Sequence, residues 1–138
     1  MTSEQIYTSI YHKLLDVVPD ILTIEGSTKS VVGGGIMDLC FEFINRSDKK
    51  IVIALTHYYK AGGDLVPDPD MSMAVYPDKC MAEALTFQDS YVYRQVYTEY
   101  NGHIDLRSKK DLNEFLDQWL TNLIEQGHKI TAPEPADE

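Results

Sequence analysis

Apolar residues at the start of the chain recur at helical spacing: Ile6, Ile10, Leu14 and Val17 form one stripe, with Tyr7, Tyr11 and Val18 beside it. Thr2 followed by Gln5 has the form of a capping box, so a first helix is expected from about residue 3 to 18. Pro19 ends it, because the residue before a proline is pushed out of the helical region. Asp20 to Ile24 is apolar but short, and Gly26 to Ser30 has the composition of a loop. From Met37 the period changes to two, with Met37, Leu39, Phe41 and Phe43 on one face and Asp38, Cys40, Glu42 and Ile44 on the other. After the polar turn Asn45 to Lys49, the run Ile51 to Tyr59 is apolar on both faces, the pattern of a strand covered at least partly on both sides. Strand patterns follow at Met71 to Tyr76, Cys80 to Phe87 and Tyr91 to Glu99, separated by Pro77-Asp78-Lys79 and Gln88-Asp89-Ser90. Such short turns leave no room for helical crossovers, so successive strands are expected as antiparallel neighbours.

Asn101-Gly102 closes this region, and Ser108 with Asp111 opens a second helix whose stripe is Leu112, Phe115, Leu116, Trp119, Leu120 and Leu123, ending at Gly127. Burying each of these side chains contributes roughly 1.5 to 3 kcal/mol, which places the helix against the sheet and makes Trp119 a core anchor. The expected fold is α+β: a five-stranded antiparallel meander with the N- and C-terminal helices packed on one face. One domain is expected over residues 1–130, followed by a disordered, acidic, Pro-containing tail over 131–138.

Composition narrows the function more than it identifies it. With 138 residues, 43% of them hydrophobic and 25% charged, the chain falls in the ordinary globular range. The net charge of -10 opposes long-range attraction to a phosphate backbone, so nucleic acid is not expected as a direct ligand. The start Met1-Thr2-Ser3-Glu4-Gln5 lacks a basic then apolar leader, and no apolar run is long enough to span a bilayer. A cytoplasmic protein of bacterial type, without a membrane partner, is expected. Cys40 and Cys80 lack the spacing of a zinc or redox pair and are expected as small buried hydrophobes.

Candidate chemistry concentrates between His57 and Pro77, a stretch expected to leave one strand, turn at Gly62-Gly63 and cross an acidic Pro-Asp-Pro-Asp turn. Asp64, Asp68 and Asp70 imitate part of a calcium loop, but the glycine after the third acidic position is missing and Val75 stands where a bidentate glutamate belongs. Pro67-Asp68 with Glu83 imitates a restriction-type nuclease core, yet Ala84 and Leu85 stand where the lysine is needed. Gly33-Gly34-Gly35 precedes a strand rather than a helix, which suits a tight turn and not a phosphate loop. There is no Gly-x-Ser-x-Gly and no His-Glu-x-x-His. Period two puts His57 with Ile53 and Leu55, as a hydrogen-bonded core histidine, while His12, His103 and His128 are expected at the surface. No cofactor and no metal are expected. Tyr58, Tyr59, Tyr76, Tyr91, Tyr93 and Tyr97 cluster around the acidic stretch, which suits either a partner-binding face or β-propensity alone.

The segments His57-Tyr58-Tyr59, Gly62-Gly63-Asp64-Leu65, Asp68-Pro69-Asp70-Met71 and Phe87-Gln88 resemble the pattern of a family of small bacterial domains of unknown function, found among plasmid, phage and conjugative-element genes. The similarity spans about residues 51 to 99. It implies an accessory role in mobile elements and assigns no activity. The expected function is a non-catalytic protein-interaction module, not an enzyme, with a protein partner or a second copy of the chain. Its candidate contact residues are His57, Tyr58, Tyr59, Asp64, Asp68, Asp70, Tyr91, Tyr93 and Tyr97. The alternatives are a metal-dependent hydrolase centred on His57, Asp64, Asp68 and Asp70, and a small-ligand-binding sensor.

Overall fold

The structure is a computed structural model that describes residues 1–98 and 102–132. Helix α1 spans Ser3–Val17. Strands β1 (Ser27–Ser30), β2 (Leu39–Arg46), β3 (Ile51–Ala61), β4 (Asp64–Tyr76), β5 (Met81–Gln88) and β6 (Tyr93–Gln95) form one sheet in sequence order, each antiparallel to the next. The short pair β7 (Tyr97–Thr98) and β8 (His103–Ile104) forms a second sheet, and α2 (Leu106–Gln126) closes the described fold. The α+β class and the antiparallel meander hold, but the sheet has six strands, not five.

The extra strand is β1, which the sequence presents as a loop. Ser27-Thr28-Lys29-Ser30 shows no apolar alternation because it is an edge strand, and its structure comes from pairing with Glu42 to Leu39. Other strand boundaries differ as well. Met37 lies outside β2. The strand expected from Tyr91 to Glu99 breaks into β6 and β7, and Glu99 and Asn101 fall outside the described residues. The expectation of a disordered tail falls largely on residues 133–138, which also lie outside them.

Both helices obey their caps. Thr2 and Gln5 form the expected box on α1. Helix α2 starts at Leu106, two residues before Ser108, because Asp105 and not Ser108 is the N-cap: its carboxylate accepts from the Ser108 N–H at 3.0 Å and the Ser108 hydroxyl at 3.0 Å. Those bonds hold Asp105 below the usual carboxylate range. Gly127 ends α2 in the left-handed region at φ +89.

The sheet face that carries Leu39, Phe41, Ile53, Leu55, Met71 and Met73 joins Ile10, Leu14, Leu112, Leu116, Trp119 and Leu120 in one buried cluster, so both helices back the same face. The helices are tied together by Asp117, which accepts from Ser9 Oγ at 2.6 Å and Lys13 Nζ at 2.9 Å. Phe115 departs from its expected burial: it sits at the rim, exposed, with its ring edge-on to Phe87 at 5.4 Å. Strand β3 is buried continuously from Ile51 to His57. On the face away from the helices, Ala54 and Ala74 are buried as well.

Candidate functional site

Two glycine turns shape one end of the sheet. Gly62 and Gly63 lie at φ +59 and +91 between Ala61 and Asp64, the signature of a type I′ turn that matches the twist of a hairpin. Gly34 and Gly35, at φ +65 and +84, make a similar turn in the loop before β2, where the Ile36 N–H donates to the Gly33 carbonyl at 3.1 Å. The Pro-Asp-Pro-Asp stretch is not a turn. It belongs to β4, and Asp68 and Pro69 stand together opposite His57 as a bulge. Proline is tolerated there because a bulge leaves a residue outside the ladder, and Pro67 lies on an edge.

Since the sheet is a meander, loop 31–38, the Gly62-Gly63 turn and turn 89–92 all emerge at one end, while turns 47–50 and 77–80 emerge at the other. The first end is apolar. Among the described residues, nine of the sixteen exposed large hydrophobic side chains stand there: Val31, Val32 and Met37; Tyr58, Tyr59 and Leu65; Tyr91, Val92 and Tyr93. Tyr91 is 94% exposed, held out by an Asx turn in which the Asp89 carboxylate accepts from the Tyr91 and Val92 N–H groups at 2.8 Å each. The Tyr59 hydroxyl bonds to that of Ser90, fastening the hairpin to this turn.

The aspartates do not gather. Asp64 follows the glycine turn, Asp68 lies in the bulge, and Asp70 reaches the sheet, where it accepts from Thr56 Oγ1 at 3.0 Å. At the strand rise of about 3.3 Å per residue, Asp64 and Asp70 lie roughly 20 Å apart along the chain. Among the described residues, no group of three or more His, Cys, Asp and Glu side chains is arranged to hold a metal ion.

His57 is 7% exposed and donates from Nδ1 to the Asp38 carbonyl at 2.8 Å, with its ring edge-on to Trp119 at 5.5 Å. It lies beneath the apolar end rather than on it. His128, expected at the surface, is 2% exposed and faces His57 at 6.0 Å between ring centroids. Its signal was absent from the sequence because the segment after α2 folds back onto the sheet: the Lys129 N–H donates to Ser30 Oγ at 3.1 Å and the Ile130 N–H to the Val17 carbonyl at 2.7 Å. The Nδ1 of His128 shares a hydrogen bond with Ser30 Oγ at 2.9 Å, and its Nε2 has no hydrogen-bond partner among the described residues.

Burial, and then the nearby His57, push the His128 pKa below its ordinary 6.5, while the Met37 carbonyl and Asp38 pull the other way. The unfolded chain therefore takes up this proton first as pH falls. The stabilisation is complete above about pH 6.5 and is lost progressively below it. Melting temperature is expected to drop more steeply from pH 7.5 to 5 for the native chain than for His128→Asn. Parallel curves would contradict this.

Other tyrosine hydroxyls are engaged within the fold. Tyr97 donates its hydroxyl to Glu83 and accepts from Lys109 Nζ at 2.7 Å, and Tyr76 donates to the other Glu83 oxygen at 2.9 Å. Burial and then the Glu83 bond raise both phenol pKa values. Burial disfavours the charged Lys109 ammonium, but the Tyr97 bond and the charges of Tyr97 and Glu83 outweigh it and raise its pKa. This polar knot joins β4, β5, β7 and α2, and no spacing in the sequence announces it. The cysteines also depart from expectation: Cys40 is half-buried, and Cys80 is exposed at φ +51 after a single helical turn.

Hollows along the sheet lie on the face away from the helices. One of about 410 Å³ is bordered by Lys29, Cys40, Thr56 and Tyr58, and another of about 890 Å³ by Ser72, Thr86, Tyr93 and Tyr97. Among the described residues, no helix is long and apolar enough to cross a membrane.

A family described as a domain of unknown function, DUF6908, matches residues 9–129, from the middle of α1 through the end of α2. The chain belongs to the DUF6908 family. Comparison with curated proteins and with solved structures finds no match. The DUF6908 match contains both the glycine-turned hairpin and the tyrosine-bearing turn, so the apolar end lies wholly within the family's domain.

Proposed function

We propose that this DUF6908 protein is a non-catalytic interaction module that grips a protein partner with the loop end of its sheet. The observation that carries the reading is the gathering of exposed tyrosines and aliphatic side chains on three loops at one end. Tyrosine supplies contact area at low entropic cost and tolerates water before the partner arrives. The acidic net charge of -10 argues against a nucleic-acid ligand. The dispersed carboxylates and the buried His57 give little support to a metal-dependent hydrolase. The likeness of the central motif to small domains of mobile elements supplies a setting, an accessory role in the bacterial cytoplasm.

The test compares the native chain with Tyr91→Ser combined with Tyr93→Ser, and with Leu22→Ser, an exposed side chain beside turns 47–50 and 77–80 at the opposite end. A partner retained from native extract should be lost with the tyrosine variant and kept with the leucine variant, at equal melting temperatures. Equal retention by all three, or a strict monomer that retains nothing, would end the proposal.

A further inference from the structure

The β3–β4 hairpin outruns its neighbours. Strand β2 stops pairing at Cys40 opposite Thr56, and β5 stops at Gln88 opposite Asp70. Four pairs remain, from Tyr58 with Pro67 to Ala61 with Asp64, and they form a two-stranded ribbon about 13 Å long at the usual strand rise. Ala61 and Asp64 flank a two-residue turn, so they are a hydrogen-bonded pair, and by alternation so are Tyr59 and Val66. The N–H and C=O groups of Tyr58 and Lys60 therefore point outward on the β3 side, and those of Leu65 and Pro67 point outward on the β4 side.

The two edges are not equivalent. Pro67 has no N–H, and the Asp68-Pro69 bulge follows it, so the β4 edge cannot continue a ladder. The β3 edge keeps both donors and both acceptors. Among the described residues, no backbone hydrogen bond from outside the hairpin reaches Tyr58 to Ala61.

On the strength of the interaction-module reading, we propose that the β3 edge at Tyr58–Ala61 takes an extended segment of a basic protein partner as an added strand. Main-chain bonds to an exposed edge supply affinity, and side chains alternating along it supply specificity. Charge decides the kind of partner. Two copies of a chain with net charge -10 repel, and copies paired along this edge would bring two Lys60 side chains close, the usual guard against self-pairing. On the face opposite Lys60 stand Tyr59, the small Ala61 and, across from it, Asp64. A partner lysine or arginine can reach over Ala61 to the Asp64 carboxylate, with the Tyr59 ring beside it.

The test titrates isotope-labelled full chain with a capped peptide of alternating lysine and valine, followed by amide NMR. Saturable shifts and slowed exchange at Tyr58 to Ala61 are expected. Binding should be roughly tenfold weaker for the glutamate counterpart. It should vanish when alternate peptide nitrogens are methylated. A chain in which residues 60–65 are replaced by Asn-Gly keeps the Tyr59 and Val66 register and should lose the response.

No saturable shift at millimolar peptide, equal binding of the methylated peptide, or shifts confined to the β1 or β6 edge would overturn the assignment. Shifts that grow with protein concentration alone would point to a second copy and overturn it too. If the shortened chain still retains a partner through Tyr91 and Tyr93, the edge assignment falls and the interaction-module reading stands.

Discussion

Trp119→Ala should lower the stability of the chain by about 3 to 5 kcal/mol, the cost of removing a large, fully packed aromatic side chain from a core. The indole is 6% exposed and meets the His57 ring at 5.5 Å and the Phe115 ring at 6.2 Å. It belongs to the cluster that joins α2 to the sheet, and Leu116 and Leu120 beside it have no exposure with which to adjust. The void would open under the apolar end, next to two buried histidines, where collapse would bring polar ring atoms against aliphatic ones. Urea unfolding should show a lower midpoint with an unchanged slope. A loss under about 1 kcal/mol would mean that α2 is not the helix that seals the core.

Asn113→Ala should cost about 1 to 3 kcal/mol, although it removes only one small polar side chain. Strand β6 covers β5 only from Thr86 to Gln88, and beyond that the β5 edge turns toward α2. The Ala84 N–H there finds its acceptor in the Asn113 carboxamide oxygen at 2.8 Å, while Asn113 Nδ2 donates to the Lys109 carbonyl at 2.7 Å. Alanine at 113 leaves a buried strand N–H unpaired, since both Ala84 and Asn113 are buried. Hydrogen exchange at the Ala84 amide should quicken by more than the global loss of stability explains. An unchanged amide would show that the edge is satisfied in another way.

The elements that could be read in advance were those whose pattern is set by the chain's own burial. Leu112, Leu116, Trp119, Leu120 and Leu123 face the core at the spacing seen in the sequence, β2 follows its alternation from Leu39, and β3 is buried on both faces as its unbroken apolar run requires. What escaped was decided elsewhere in space. Ser27–Ser30 becomes a strand because β2 offers an edge. The Pro-Asp-Pro-Asp stretch looked like a turn because its residues break ladders, yet a bulge and an edge have no ladder to break at those positions. His128 is buried by a segment that folds back after Gly127, a long-range event that composition does not record.

The candidate contact residues divided along the same line. Tyr58, Tyr59, Tyr91 and Tyr93 stood out as a cluster in the sequence, and their shared end follows once the strands alternate. Tyr97 belonged to that cluster in sequence but its hydroxyl is spent on Glu83 and Lys109, partners that only the β5–α2 junction brings near. The acidic residues looked like a site because they are close in number, and along an extended strand that closeness is lost.

The most direct measurement places a photoreactive benzoylphenylalanine at position 91, and in a second protein at position 22, and illuminates each in living cells. Discrete protein adducts are expected from position 91, at the apolar end, and none from position 22, at the far end of the sheet. Adducts from position 22 alone, or equal adducts from both, would contradict this expectation.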